Sequence, residues 1–371
     1  MMPAQRVLKP ALTAVEKAAP KRTVCVTGGT GYVASAVIER LLAAGHTVHA
    51  TCRDRSKASL IDPVNKMAEE WGASDRLKWY EADLLRDGSF DEAMEGCDAC
   101  AHVAAVFKTK WKDPATELID PAVKGTANVF DSVEKAGSVK TVVITSSVAA
   151  VCCSPHEHAD GNAHRYNEED WTSTTRATVT RQSYNHAKRE QEKKAWELAE
   201  GKSFRLVSIN PGLVMGPAPA ERTDSASMDI VMQIAGGKLN PAPRLKFAFS
   251  DVRNVATAHC IALFDDKCRG RYLSCEPETT DVVEMGASLT AEFPKAKIPK
   301  GYLPLWAAYL VGPFVGFGWG LINDLWTDRF LLDTSKVERD MKWSSWAVHV
   351  GETVPDMVRH LTEKKAMPDY R

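Results

Sequence analysis

Between residues 21 and 210 the chain alternates short β-rich runs with helical stretches, and no other feature restricts its fold so strongly. Residues 23–27, 47–52, 77–80, 99–104, 141–145 and 205–210 read as strands. Residues 32–44, 56–71, 90–95, 114–135 and 184–200 read as the helices between them. Such alternation implies right-handed crossovers and a parallel sheet covered on both faces. The expected architecture is α/β, a doubly wound parallel (Rossmann) sheet with a smaller C-terminal domain. After Asn210 the pattern is broken by Pro211, Pro217, Pro219, Pro241 and Pro243. The expected division is therefore a lead-in over 1–20, a sheet domain over 21–210, and substrate-binding segments over 211–371, some returning to the first domain.

Lys+Arg and Asp+Glu stand at 47 against 48, without long blocks of either sign, so no electrostatic footprint for nucleic acid is present. The 9 cysteines are an odd number scattered through apolar runs, which reads as buried thiols, not a disulfide framework. Cys97 and Cys100 stand three apart, but Cys97 falls at a helix end and Cys100 opens a strand, so a zinc or redox pair is not expected. Residues 1–20 hold no continuous apolar run and one acid, Glu16; they read as a disordered lead-in, with an organelle transit segment as the alternative. The run 302–322 carries no charge and approaches the length of a membrane span, yet Pro304, Pro313 and the glycines from Gly312 to Gly320 interrupt it. It is expected in the substrate region, and the protein in the cytoplasm; membrane association through this run is the weaker reading.

The segment Thr27-Gly28-Gly29-Thr30-Gly31-Tyr32-Val33-Ala34 leaves the first strand and opens a helix. Gly28 permits the turn, Gly31 lets the backbone approach a pyrophosphate, and Ala34 lets helix and strand pack closely. Amide groups at the helix start can then hold negative charge. The second strand ends Arg53-Asp54-Arg55-Ser56-Lys57. An acid at that place would bind a ribose hydroxyl; Arg53 arrives first and, with Lys57, suits the 2′-phosphate that only NADP(H) carries. Asp54 keeps a dual preference open. Asp83-Leu84, after the third strand, is placed for the adenine amino group.

The fifth strand ends Thr145-Ser146-Ser147, and a later helix begins Tyr184-Asn185-His186-Ala187-Lys188. Spacing of four puts Tyr184 and Lys188 on one helix face. The lysine charge is expected to lower the phenol pKa, so that Tyr184 can protonate a carbonyl oxygen while Ser147 orients it.

These residues resemble the extended short-chain dehydrogenase/reductase superfamily, and within it the dihydroflavonol reductase and cinnamoyl-CoA reductase group. The likeness rests on the glycine loop, Arg53-Asp54, Ala82-Asp83-Leu84, His102-Val103-Ala104 and Ala122-Val123-Lys124-Gly125-Thr126. It continues through Thr145-Ser146-Ser147, Tyr184 with Lys188, Asn210-Pro211-Gly212-Leu213-Val214, Asp251-Val252-Arg253 and Leu332-Asp333-Thr334-Ser335-Lys336. The resemblance implies a triad of Ser147, Tyr184 and Lys188, with Lys188 also on the nicotinamide ribose. It places Ala104 at that ribose and Pro211 and Val214 at the nicotinamide. Ala122 stands where many members carry an asparagine, so a four-residue proton relay is not implied, and Asn128 reads as structural. Arg181-Gln182-Ser183-Tyr184-Asn185 departs from the run typical of cinnamoyl-CoA reductases, which argues against that particular activity.

The expected function is NADPH-dependent reduction of a ketone or aldehyde on a bulky or aromatic small molecule. A nucleotide-sugar epimerase or dehydratase, a hydroxysteroid dehydrogenase, and a non-enzymatic NADP sensor remain the competing readings. His156, His158 and His164 crowd one loop, and they are read as solvated or substrate-facing ahead of metal-binding.

Overall fold

The computed structural model describes residues 8–106, 111–154, 156–157, 164–179, 182–220, 225–312, 319, 322–323, 326–327 and 331–371. Its strands in chain order are Thr23–Val26 (β1), Thr47–Cys52 (β2), Leu77–Glu81 (β3), Ala99–His102 (β4), Thr141–Thr145 (β5) and Arg165–Tyr166 (β6). Arg205–Pro211 (β7), Leu213–Met215 (β8), Phe249–Asp251 (β9), Gly270–Ser274 (β10) and Leu331–Leu332 (β11) follow. Seven of them form one parallel sheet in the order β10-β7-β5-β4-β1-β2-β3. Chain order reverses between β1 and β4, and the strand ends at that switch point frame the crevice where such sheets bind ligands.

Strand side chains alternate between the two faces, and both faces are covered except along the edge strand β3, where Lys78 and Glu81 are exposed. Val24 and Val26, Ala99 and Ala101, and Val143 point into one buried cluster with the helices Tyr32–Ala43 (α2) and Val252–Phe264 (α9). Cys25, Cys100, Val142 and Ile144 point the other way, against Asp120–Ala136 (α5) and Ser183–Ala199 (α7). Period-two alternation with apolar residues on both sides is what a doubly covered parallel sheet demands. All nine cysteines are buried and free, as their apolar surroundings suggested.

β10 lies beyond Asn210, where the strands read from sequence end. It pairs with β7 and adds an edge to the sheet. The remaining segments gather around β8, β9, Ala226–Ala235 (α8) and the C-terminal helix Val350–Glu363, which share a second core containing Met228, Phe249, Val354 and Met357.

The reading of 1–20 as disordered needs correction over its described part. Thr13 caps the helix Ala14–Ala18 (α1), and the lone acid of the segment, Glu16, is fully buried. Its carboxylate accepts from Arg40 Nε at 2.8 Å and Nη2 at 2.6 Å, while Arg40 Nη1 donates to Pro10 O at 2.8 Å. Composition alone missed it because the partner charge sits on α2, outside the segment.

Within 302–322 the helix Leu305–Val311 (α11) ends before Gly312, and residues 313–318 and 320–321 lie outside the described residues. Among the described residues, no helix is long and apolar enough to cross a membrane.

Candidate active site

The glycine loop is built by cross-ties between strand ends. Gly28 N donates to Thr51 Oγ1 at 3.0 Å and Gly29 N to Thr51 O at 2.7 Å, joining the loop to β2. Thr27 Oγ1 accepts from the amides of Val103 and Ala104, both at 3.0 Å, joining it to the chain after β4. Gly28 adopts φ +69°, and a Cβ there would stand 3.1 Å from Ala104 Cα. A Cβ on Gly31 would stand 3.0 Å from Gly28 O, so the loop closes too tightly for a side chain. Gly31 is also the N-cap of α2 and brings no side chain to the orphan amides of the first turn. A bare helix start behind a backbone cradle fits the pyrophosphate of a dinucleotide.

From this loop a cleft of ≈ 1400 Å³ runs across the sheet edge. Gly28, Thr30, Gly31, Tyr32, Val33, Arg53, Asp83, Leu84 and Ala104 line one part of it, and Ser147, Tyr184 and Val214 line another. Arg53 is exposed, whereas the carboxylate of Asp54 turns back on its own loop, accepting from Ser56 N at 2.9 Å and Ser56 Oγ at 2.6 Å. Those bonds hold its pKa below the usual value. The acid that kept a dual cofactor preference open is therefore occupied, and the guanidinium faces the cleft. Lys57, at the head of Ala58–Glu70 (α3), is exposed but lies off the cleft wall. Asp83 Oδ1 accepts from Leu85 N at 2.8 Å, and Asn128 donates to Leu84 O at 2.7 Å. Asn128 thus fixes the turn after β3.

Ser147 ends β5's extension. Its Oγ accepts from Ala149 N at 3.1 Å and donates to Pro211 O at 3.4 Å. Tyr184 stands in the first turn of α7, hydrogen-bonded to Ser147. Burial raises the Tyr184 pKa, and the Ser147 bond offsets this only in part. Here the expectation that Lys188 lowers the phenol pKa is corrected. Lys188 Nζ donates instead to Thr145 O at 3.2 Å and Gln191 Oε1 at 3.0 Å. Burial pushes its pKa down to about 8, against an opposing pull from Glu192. Lys188 and Pro211 lie behind the cleft wall, which at these places is formed by Tyr184 and by Gly212, Leu213 and Val214.

Several residues were not singled out by sequence. Cys152, Cys153, Ser225, Asp229, Lys246 and Phe247 are among them and line the cleft, as do Gln182 and Asn185, which the sequence offered only as a departure from the cinnamoyl-CoA reductase run. Lys246 is bridged to Asp281 at 3.1 Å and Glu284 at 2.7 Å. Beneath the cleft, fully buried Glu192 binds Ser146, Asn210 and Arg271. Its one sequence signal is a place four residues past Lys188. In the histidine loop, His164 contacts Asp170 at 3.2 Å and His158 lies outside the described residues. Among the described residues no cluster of His, Cys, Asp and Glu could hold a metal ion.

Sheet, switch point and glycine cradle together make a dinucleotide-binding fold, with a hydrogen-bonded Ser–Tyr pair in the same cleft. Residues 24–271 match the model of the NAD dependent epimerase/dehydratase family, and the chain belongs to that family. A cinnamoyl-CoA reductase of Medicago truncatula is 33% identical over 290 residues, covering 76% of this chain and 86% of that one. A putative anthocyanidin reductase of Ginkgo biloba is 34% identical, covering 75% of this chain and 82% of that one. Among solved structures, Gre2 of Candida albicans in complex with NADPH superposes with TM-score 0.75 at 25% identity, over 93% of this chain and 99% of that one. Within the family the chain is an oxidoreductase of the extended short-chain dehydrogenase/reductase type, in the group of the cinnamoyl-CoA and anthocyanidin reductases.

Proposed function

We propose that the protein reduces a ketone or aldehyde on a bulky, hydroxyl-bearing aromatic molecule, using NADPH as hydride donor and Tyr184 as proton donor. The observation that carries this reading is one continuous cleft with the glycine cradle and Arg53 in one part and the hydrogen-bonded Ser147–Tyr184 pair in the other. Gly28, Gly31 and the amides opening α2 hold the pyrophosphate. Arg53 holds the 2′-phosphate, Asp83 and Leu84 the adenine, and Ala104 and Val214, with Pro211 behind the wall, border the ribose and nicotinamide. Bound there, the nicotinamide supplies a hydride to the carbonyl carbon.

The protein's own groups manage the oxygen. Ser147 and Tyr184 are hydrogen-bonded to each other and line the same cleft, so both can hydrogen-bond a carbonyl oxygen placed beside them and withstand the charge that develops on it. Burial keeps the phenol protonated at neutral pH, which is the state a donor needs in the reductive direction. As the proton leaves, the Lys188 ammonium, one helical turn away, stabilises the phenolate left behind. To reach the nicotinamide ribose hydroxyls as well, the Lys188 ammonium would turn from Gln191 Oε1 toward the cleft. The substrate part mixes apolar Leu213 and Phe247 with Ser154, Gln182, Asn185 and Asp229, which suits a ring system carrying hydroxyl groups. The relatives named for reducing cinnamoyl-CoA and anthocyanidin support the same chemical class.

The test is NADPH oxidation over dihydroflavonols, aromatic aldehydes, acyl-CoA thioesters and ketosteroids, followed by Tyr184→Phe. The variant should keep its NADPH affinity and lose about two to four orders of magnitude in the single-turnover rate. A near-normal rate would remove the mechanism. An epimerase would show no net NADPH consumption with any of these compounds.

A further inference from the structure

A carboxylate fully withdrawn from water is expensive unless several donors surround it. Glu192 is such a group, and the function above gives it no work. We propose that Glu192 is a positioning residue for the reaction: through Ser146, Asn210 and the helix turn it shares with Lys188, it sets where Ser147 and the Lys188 ammonium stand. The proposal rests on the reading of Ser147, Tyr184 and Lys188 given above.

The geometry ties the ends of β5 and β7, together with β10 and α7, to this one carboxylate. Ser146 Oγ, at the end of β5, donates to Oε2 at 2.6 Å. Asn210, near the end of β7, donates through Nδ2 to the same oxygen at 2.8 Å and to Ser147 O at 3.2 Å. From β10, Arg271 Nε reaches Oε1 at 2.8 Å and Nη2 reaches Oε2 at 3.2 Å. Trp196, one turn further along α7, donates to Oε1 at 3.3 Å. The backbone carrying Ser147 is thus held from both sides by groups that meet at Glu192. Arg271 extends the tie outward: its Nη1 donates to the carbonyls of Glu168 and Asp170, and its guanidinium lies 3.8 Å from the Trp171 ring centroid.

Charge follows the same route. Lys188 precedes Glu192 by four residues on α7, and burial works against its ammonium while the carboxylate favours it. The other titratable groups facing this lysine contribute little charge. His102 on β4 is held neutral, its pKa lowered to about 3 by burial and by Lys188 itself. His259 on α9, which contacts Thr145 Oγ1 at 2.7 Å, is lowered by burial to about 4. Tyr184 keeps its proton. The guanidinium of Arg271 is bound to Glu192.

Two variants test this. Glu192→Gln keeps the shape and removes the charge, so Lys188 should lose its proton at lower pH. The alkaline limb of kcat should move down by about one unit. NADPH binding, followed by fluorescence titration against pH, should shift with it, a readout that needs no turnover. Because that variant leaves the buried Arg271 guanidinium without its counter-charge, Glu192→Leu with Arg271→Leu supplies a control in which neither charge is stranded. There Ser146 and Asn210 lose their common acceptor, and kcat should fall about ten- to hundredfold with a much smaller change in KM. A double variant that melts normally and turns over at the wild-type rate overturns the proposal, as does an unmoved alkaline limb in folded Glu192→Gln. Loss of the underlying reading would look different: Tyr184→Phe itself would retain its rate.

Discussion

The two parts of the cleft are built in opposite ways. The cofactor part is made from the ends of adjacent strands β1, β2, β3 and β4, locked by Thr27 and Thr51, so its residues sit within a few positions of a strand terminus. The substrate part is assembled from loop, helix and β8 residues between Ser147 and Ala248, outside the seven-stranded sheet. A sheet edge fixes backbone amides and small residues in place, which is what a constant ligand such as a dinucleotide requires. Segments hung between prolines can change side chains without disturbing the sheet, which suits a variable substrate. One chain thereby separates what must be kept from what can be altered.

The sharpest way to break that separation is at the joint. Gly212 connects β7 to β8, and a Cβ added there would lie 2.3 Å from Ala248 O, a backbone atom that already accepts from Leu213 N at 2.7 Å. Gly212→Ala must push β8 and β9 off the sheet end, and we expect a loss of about 3 kcal/mol in unfolding free energy, read from denaturant midpoints. Should stability hold and only substrate KM rise, the substrate part would be hinged more freely than its packing implies.

The same contrast decides how much could be read from the sequence. The six strands were legible because each rests on local periodicity, and chain order was enough to bring Ser147 and Tyr184 together. β10 was not, since Arg271 interrupts its apolar pattern and finds its counter-charge in Glu192, a residue on another element. The helix α1 was hidden for the same reason, its Glu16 being explained by Arg40. The direction of the Tyr184 pKa was misjudged because spacing puts the lysine nearby but says nothing of the desolvation that outweighs it. Long-range charge pairing and burial are properties of the fold, and no window along the chain displays them.

A middle-sized effect separates the two parts functionally. Arg53→Ala removes one charge-assisted contact from the cofactor part and nothing from the substrate part. NADPH affinity should fall by about 2 kcal/mol, or roughly thirtyfold, while NADH affinity and the substrate profile stay nearly unchanged. Equal losses for both cofactors in a binding titration would move the 2′-phosphate away from Arg53.

The smallest effect is expected furthest from the sheet. α11 has seven residues, of which Ala308 is the buried one. Trp306 is 69% exposed and Leu310, one turn later, is 64% exposed, so these side chains contribute little to either core. A substitution at such a place acts mainly on the unfolded chain and on solvent contacts, within about 0.5 kcal/mol. Trp306→Ser should therefore leave both the unfolding midpoint and kcat/KM near their wild-type values, in contrast to Gly212→Ala, which changes a single methyl group. The comparison depends on burial, not on residue size. A large drop in stability for Trp306→Ser would mean that the indole is covered in solution, and the outer edge of the substrate part would then have to be redrawn as packed structure.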